Sequence, residues 1–344
     1  MPIDPSLCPA IFGVFGKTLT DRERAFFQEV KPFGFILFAR NIGDPDQVRA
    51  LTESLKPLAA ANPCPILIDQ EGGRVARLRP PHWPDYPRGV VFGRLFDLDP
   101  AEAKRAIYLN SRLIAADLHD LGITVDCLPV LDVPARGGHD VIGDRAYARH
   151  ADTVAQLGRE ACAGLIDGGV LPVIKHIPGH GRAAADTHVE LPTVTTKAAT
   201  LRRTDFAPFK ALRDAPFAMT AHVIYADLDP DFPATTSRTV IDGVIRKTIG
   251  FDGALMSDDL NMQALSGTLA ERAFASQQAG CDLALHCNGE YDDMVAVASG
   301  LEHASPATLR RLTRAMSWLA APKPFDREAG VWERDALLAR VGGG

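Results

Sequence analysis

Apolar positions in the chain fall into two kinds of stretch that alternate along its length. Short β-branched or apolar runs occur at Ala10 to Val14, Gly34 to Phe38, Pro65 to Ile68, Asp126 to Val133, Leu171 to Ile174, Phe217 to Thr220, Gly253 to Met256 and Asp282 to Leu285. Each has the length and composition of a buried strand. Between them lie longer stretches with apolar residues at helical spacing: Asp44 to Ala60, Pro100 to Leu121, Ala151 to Gly168, Ala207 to Asp214, Val240 to Thr248 and Leu269 to Ala279. Strand followed by helix, repeated about eight times, predicts an α/β fold and specifically a (β/α)8 TIM barrel.

A doubly wound open sheet would share that alternation, and the polar residues separate the two. Asp69, Asp132, Lys175-His176, His222, Asp258 and Asn288 each sit just past an apolar run. In a barrel those strand ends converge on one face. An open sheet would gather its site at a switch point, and the chain has no glycine-rich dinucleotide fingerprint. No repeat or linker divides the chain, so residues 1–344 are expected to form a single domain. The stretch 322–344, with Trp332 and a triple-glycine end, is expected to be a tail that packs under the barrel or frays.

Composition narrows the classes. With 46% apolar and 23% charged residues, the chain has the makeup of a globular protein. A net charge of −6 argues against nucleic acid as a partner, since polyanion binding needs clustered cations. No basic-then-apolar leader opens the chain, and no apolar run approaches about 20 residues, so neither export nor a membrane span is expected. The six cysteines are scattered and lack CxxC spacing; they read as small core residues in a reducing, cytoplasmic compartment.

Chemistry concentrates in three segments. Lys175-His-Ile-Pro-Gly-His180-Gly-Arg-Ala-Ala-Ala-Asp186-Thr-His188 compresses a lysine, three histidines and a carboxylate into fourteen positions. If the chain is locally extended, Asp186 and His188 share a side, so the carboxylate orients the imidazole, whose ordinary titration near pH 6.5 suits both giving and taking a proton. The glycines at 179 and 181 suit a mobile lid. Metal binding by His176, His180, Asp186 and His188 is the rival reading; the spacing fits no zinc pattern, and Lys175 and Arg182 sit awkwardly beside a cation, so no metal or cofactor is expected. In Gly253-Ala-Leu-Met-Ser-Asp258-Asp259, two carboxylates end a strand and only one can face the barrel mouth as a nucleophile. Periodicity does not choose between them. In Ile68-Asp69-Gln-Glu-Gly-Gly-Arg-Val-Ala-Arg77, Asp69 can accept sugar hydroxyls and Arg77 can bring a donor fork; out of context, such a charge run reads as a solvated face. Arg145, in Val-Ile-Gly-Asp-Arg, can reach a polar substrate group, whereas His222 alone reads as a bonded core histidine.

Together GFILFARN, LIDQEGGRVARL, PVLDV with VIGDR, KHIPGHG with DTH, MTAHVIY and MSDDL resemble glycoside hydrolase family 3, and within it the single-domain bacterial β-N-acetylglucosaminidases. The match runs in order from Gly34 to Leu260. The resemblance implies a retaining exo-β-N-acetylhexosaminidase with Asp258 as nucleophile, His188 as acid/base and Asp186 as its partner. It also implies that Asp69, Arg77, Arg145, Lys175 and His176 hold the terminal N-acetylglucosamine. Action on N-acetylglucosamine-bearing muropeptides or oligosaccharides during peptidoglycan recycling follows from the same resemblance, and a monomer is expected. The chain departs from its relatives at Arg182-Ala-Ala-Ala, where they carry a more polar stretch. Two alternatives stand beside this reading: a phosphorylase using the same glycosyl-enzyme, and a carbohydrate-binding barrel without activity.

Overall fold

The computed structural model describes residues 3–135, 142–183 and 191–342. Eight parallel strands close into a barrel in chain order: β1 (Cys8–Gly13), β2 (Pro32–Leu37), β3 (Ile66–Ile68), β4 (Val125–Asp126), β5 (Leu171–Ile177), β6 (Phe217–Thr220), β7 (Ala254–Asp259) and β8 (Leu283–His286). Closure is made by β8 lying beside β1, with Ala10 opposite Ala284 and Phe12 opposite His286. The expected (β/α)8 barrel is thus the observed fold. Its strands read as unbroken apolar runs because both faces are covered, one by the barrel interior and the other by helices.

Ile11, Ile36, Leu67, Val125, Val173, Met219, Met256 and Leu285 point inward and fill the interior, all nearly inaccessible to solvent. Their strand neighbours face outward into the shell formed with the helices. Local signals set several helix starts. Thr20 and Glu23 form a reciprocal capping box at Asp21–Val30, and Thr268 and Glu271 do the same at Leu269–Ala279. Asp99 caps the long helix Pro100–Asp120 by accepting from the backbone N–H groups of Ala101 and Glu102.

Three expectations are corrected. The run from Asp126 to Val133 is a regular strand only at Val125–Asp126, because Pro129 has no N–H for a ladder. Beyond it the chain still tracks β5: the Leu131 N–H donates to the Lys175 carbonyl and the Lys175 N–H to the Pro129 carbonyl. Helix 44–60 stops at Leu55 and passes into a 3-10 turn at Lys56–Leu58, where Pro57 cannot continue the ladder. Within 322–344, Arg327–Leu338 is a helix packed along the flank of Pro100–Asp120 rather than beneath the barrel. Arg105 bonds Glu333 there at 2.8 and 2.7 Å, and Arg327 bonds Asp117.

The strand ends that build the site are irregular. On β5 the register slips between Lys175 and Ile177, which lie opposite Met219 and Thr220. Between β7 and β8 it slips again, with Leu283 opposite Met256 but Leu285 opposite Asp259. An extra residue of this kind re-aims side chains locally, and these slips fall at Lys175-His176 and at Ser257-Asp258.

Candidate active site

A cavity of about 180 Å³ opens at the C-terminal ends of the strands, lined by Asp69, Glu71, Arg77, Arg145, Lys175, His176, His180, Asp258 and Asp259 over a floor that includes Ile36, Met219 and Leu285. A larger depression of about 620 Å³ lies at the opposite end of the barrel around Asp252, Arg311 and Arg314. Size does not locate the chemistry: that depression is an open groove, whereas convergent buried titratable groups mark the barrel mouth.

One wall begins where β3 ends. Gln70 ties the Asp69–Leu78 loop together: its Oε1 accepts from the N–H groups of Arg77 and Leu78 at 2.9 and 3.0 Å, and its Nε2 donates to the Leu78 carbonyl at 3.1 Å. Gly72 turns the loop at φ 94°, where a Cβ would stand 2.3 Å from the Pro87 carbonyl oxygen. The loop presents Asp69 and Glu71 to a line of cations. Lys175 Nζ, on a side chain 2% exposed, lies 2.8 Å from Asp69 and 2.6 Å from Glu71. Arg77 donates to the other Asp69 oxygen at 2.9 Å, and Arg145 holds Glu71 through two bonds of 2.8 Å. Burial works to raise both carboxyls, but Lys175 with Arg77 holds Asp69 well below the usual carboxylate range, and Arg145 with Lys175 brings Glu71 down to about 2. Burial likewise opposes the charge on Lys175, yet the two carboxylates raise its pKa and keep it cationic. Three cations around two carboxylates leave the wall net positive.

Next to this wall, after β4, Asp132 organises both described histidines of the loop. Its Oδ2 lies 2.7 Å from His176 Nδ1, and its Oδ1 accepts from the His180 backbone N–H at 2.6 Å. Burial raises the Asp132 carboxyl, but His176 and His180 outweigh it and the net shift is downward. Because that carboxylate can only accept, His176 carries a proton on Nδ1 and presents Nε2 to the cavity. His180 is 3% exposed, and burial lowers its pKa to about 4, which leaves its ring neutral.

The two carboxylates at the end of β7 are treated differently by their surroundings. For Asp258, burial acts upward, but its surroundings, the Asp259 N–H and the Lys175 cation among them, hold it below the ordinary carboxylate value. For Asp259, burial pushes the carboxyl up to about 6 while its Oδ1 accepts from the N–H groups of Asn261 and Cys287, both at 3.1 Å. Both line the cavity, but Asp258 is the one held ionised, whereas Asp259 is tied to the N–H groups of Asn261 and Cys287.

The structure therefore brings Asp69, Arg77, Arg145, Lys175, His176 and Asp258 into one cavity. Asp186 and His188 lie outside the described residues. Three residues outside the predicted catalytic and sugar-holding set belong to the cavity framework: Glu71, Asp132 and His180. Glu71 was hidden in an apparently solvated charge run, and the available signal was its position two residues past a strand end. His222 is a bonded core histidine, as expected, and Asn288 closes a turn by donating to Asp293 at 2.6 Å. Among the described residues no three His, Cys, Asp or Glu side chains gather as a metal site, and no helix is long and apolar enough to cross a membrane.

Residues 17–317 match the glycosyl hydrolase family 3 N-terminal domain. The chain is 40% identical over 312 residues to a beta-hexosaminidase of Alkalilimnicola ehrlichii, covering 90% of this chain and 88% of that one. A beta-hexosaminidase of Bordetella pertussis is 36% identical over 318 residues, covering 91% and 89%. Among solved structures, NagZ from Neisseria gonorrhoeae in complex with N-trifluoroacetyl-D-glucosamine superposes with a TM-score of 0.84 at 30% identity, over 99% of this chain and 98% of that one.

Proposed function

The chain belongs to glycosyl hydrolase family 3 and is a β-N-acetylhexosaminidase of that family; from that premise we propose that it removes terminal β-linked N-acetylglucosamine by double displacement. Asp258 is the nucleophile and His188 the acid/base, paired with Asp186. The observation that carries this reading is the contrast at the end of β7, where the ionised carboxylate is Asp258 and the one raised to about 6 is Asp259.

In the first step Asp258 attacks the anomeric carbon while His188 gives its proton to the departing glycosidic oxygen. In the second, His188 takes a proton from water, which displaces Asp258 and releases the sugar with retained configuration. A histidine in place of the usual second carboxylic acid avoids setting two anions against each other across the bond. Asp69 accepts sugar hydroxyls, and Arg77, Lys175, His176 and Arg145 donate to the sugar or hold the groups that do. Their mutual pairing fixes these side chains before substrate arrives, so little ordering entropy is lost on binding.

The same proposal extends to the setting: one catalytic domain, monomeric and cytoplasmic, taking the sugar from muropeptides in peptidoglycan recycling. Six free cysteines, four of them buried, suit a reducing compartment. Asp258→Asn tests the core of the reading. With an aryl N-acetyl-β-glucosaminide, turnover should fall by more than about 10³-fold, the scale of loss when a nucleophile is removed from a catalytic unit, while the melting temperature is retained. Wild-type turnover in that variant would overturn the assignment, and free sugar should remain the product when phosphate is added.

A further inference from the structure

Directly behind the β7 carboxylates lies a hydrogen-bonded chain that the catalytic scheme does not use. His222 is fully buried. Its Nε2 is 3.0 Å from the Asp259 carbonyl oxygen and its Nδ1 is 2.7 Å from Thr235 Oγ1. Thr235 Oγ1 is in turn 2.8 Å from Thr220 Oγ1, which accepts from the Asp258 backbone N–H at 3.3 Å. These contacts, taken in order, leave one assignment of protons.

A carbonyl oxygen only accepts, so Nε2 of His222 carries a proton. The ring stays neutral because burial lowers its pKa, despite the attraction of Asp258. Neutral imidazole has one N–H, so Nδ1 is an acceptor and the Thr235 hydroxyl donates to it. That proton being used, the 3.2 Å approach of Thr235 to the Ala221 carbonyl is secondary, and the 2.8 Å contact between the threonines requires Thr220 to donate. The oxygen of Thr220 is then free to accept the Asp258 N–H. The direction runs from Asp258 N–H through Thr220, Thr235 and His222 to the Asp259 carbonyl. It grips the backbone N–H of Asp258 and, one residue further on, the carbonyl of Asp259, at the point where the register of β7 has slipped.

We propose that Thr220, Thr235 and His222 are positioning residues for the nucleophile: they form a one-directional relay that fixes the backbone on both sides of Asp258 and so sets the angle at which its carboxylate meets the anomeric carbon. This rests on the assignment of Asp258 above. Every member touches backbone or another member, and none reaches the cavity carboxylate itself. The relay is all-or-none, because removing one hydroxyl leaves a buried donor and a buried acceptor unmet.

The experiment compares Thr235→Val, which keeps the shape and removes the hydroxyl, with Thr235→Ser, which restores it. With an aryl N-acetyl-β-glucosaminide, Thr235→Val should lower kcat about 10- to 100-fold, the scale of a small misplacement of a reacting group, with KM changed less than about twofold. Thr235→Ser should recover kcat to within about threefold of wild type. Wild-type kcat in Thr235→Val, or no recovery in Thr235→Ser, overturns the proposal. A readout independent of turnover is the nitrogen NMR signature of His222 in the unmodified protein. A neutral ring protonated at Nε2 between pH 6 and 8 supports the relay; protonation at Nδ1, or a cationic ring, overturns it. Failure of the enzymatic reading would instead show as an inactive wild type. The relay would then still be judged by the His222 tautomer and by whether Thr235→Val shifts the Asp258 amide resonance, an unshifted amide counting against it.

Discussion

The energetics of single residues in this protein depend on whether a charge has been taken out of water. Glu71 and Lys175 have side chains 4% and 2% exposed at a separation of 2.6 Å, whereas Arg22 and Asp292 make a comparable contact with side chains 66% and 90% exposed. Removing one partner of a buried pair strands the other in a poor solvent and costs about 3 kcal/mol or more, while an exposed pair contributes at most about 1 kcal/mol. Glu71→Gln is therefore expected to lower unfolding stability by about 3 kcal/mol and to raise KM, because Lys175 and Arg145 lose the group that aims them. Asp292→Asn should change stability by less than about 1 kcal/mol. Urea unfolding of both variants, with KM for an aryl glycoside, checks the pair; equal losses at the two sites would contradict the assigned role of Glu71.

At the scale of elements, close packing decides where the cavity residues stand. Helix Gly89–Leu98 lies against the backbone that carries Arg145: a Cβ on Gly89 would stand 2.2 Å from the Arg145 carbonyl oxygen, and one on Gly93 1.7 Å from that of Tyr147. Alanine is worth about 1 kcal/mol over glycine in a helix, but overpacking against backbone costs about 1 to 3 kcal/mol, and at 1.7 Å the clash prevails. Gly93→Ala should destabilise the protein and, by moving the Arg145 loop, raise KM more than it lowers kcat; a stabilised variant with unchanged KM would refute the argument. Much of this scale was readable in advance. Buried parallel strands must be continuous apolar runs, so seven of the eight were visible, the fourth being displaced to Val125–Asp126, and polar residues just past the runs marked the mouth. The slips in β5 and β7 were not visible, since a bulge is set by neighbouring strands and not by composition. That is why alternation alone did not choose between Asp258 and Asp259. The partners of Asp132 were equally hidden, because they depend on loops meeting across the barrel.

For the whole molecule, the buried titrating groups of the mouth couple catalysis to folding through pH. Asp69, Glu71, Asp132 and Asp258 have folded pKa values below the unfolded ones near 4. They stabilise the protein above pH 4, and that contribution is lost as pH falls through their folded values. His180 is also depressed, to about 4 from an unfolded value near 6.5. The folded state then binds fewer protons between those limits, and stability rises with pH across the window by up to about 3 kcal/mol, at 1.36 kcal/mol per unit. Asp259 has the opposite sign. With its folded pKa raised to about 6, its contribution is fully present below pH 4 and disappears as pH rises through 6. Two variants should therefore tilt the same curve in opposite directions. Asp259→Asn should steepen the gain in melting temperature between pH 4 and 6.5, and His180→Gln should flatten it. Melting curves at half-unit intervals, each variant referred to wild type at the same pH, read the two slopes directly, and tilts of the same sign would mean that one of these groups does not titrate as its surroundings require.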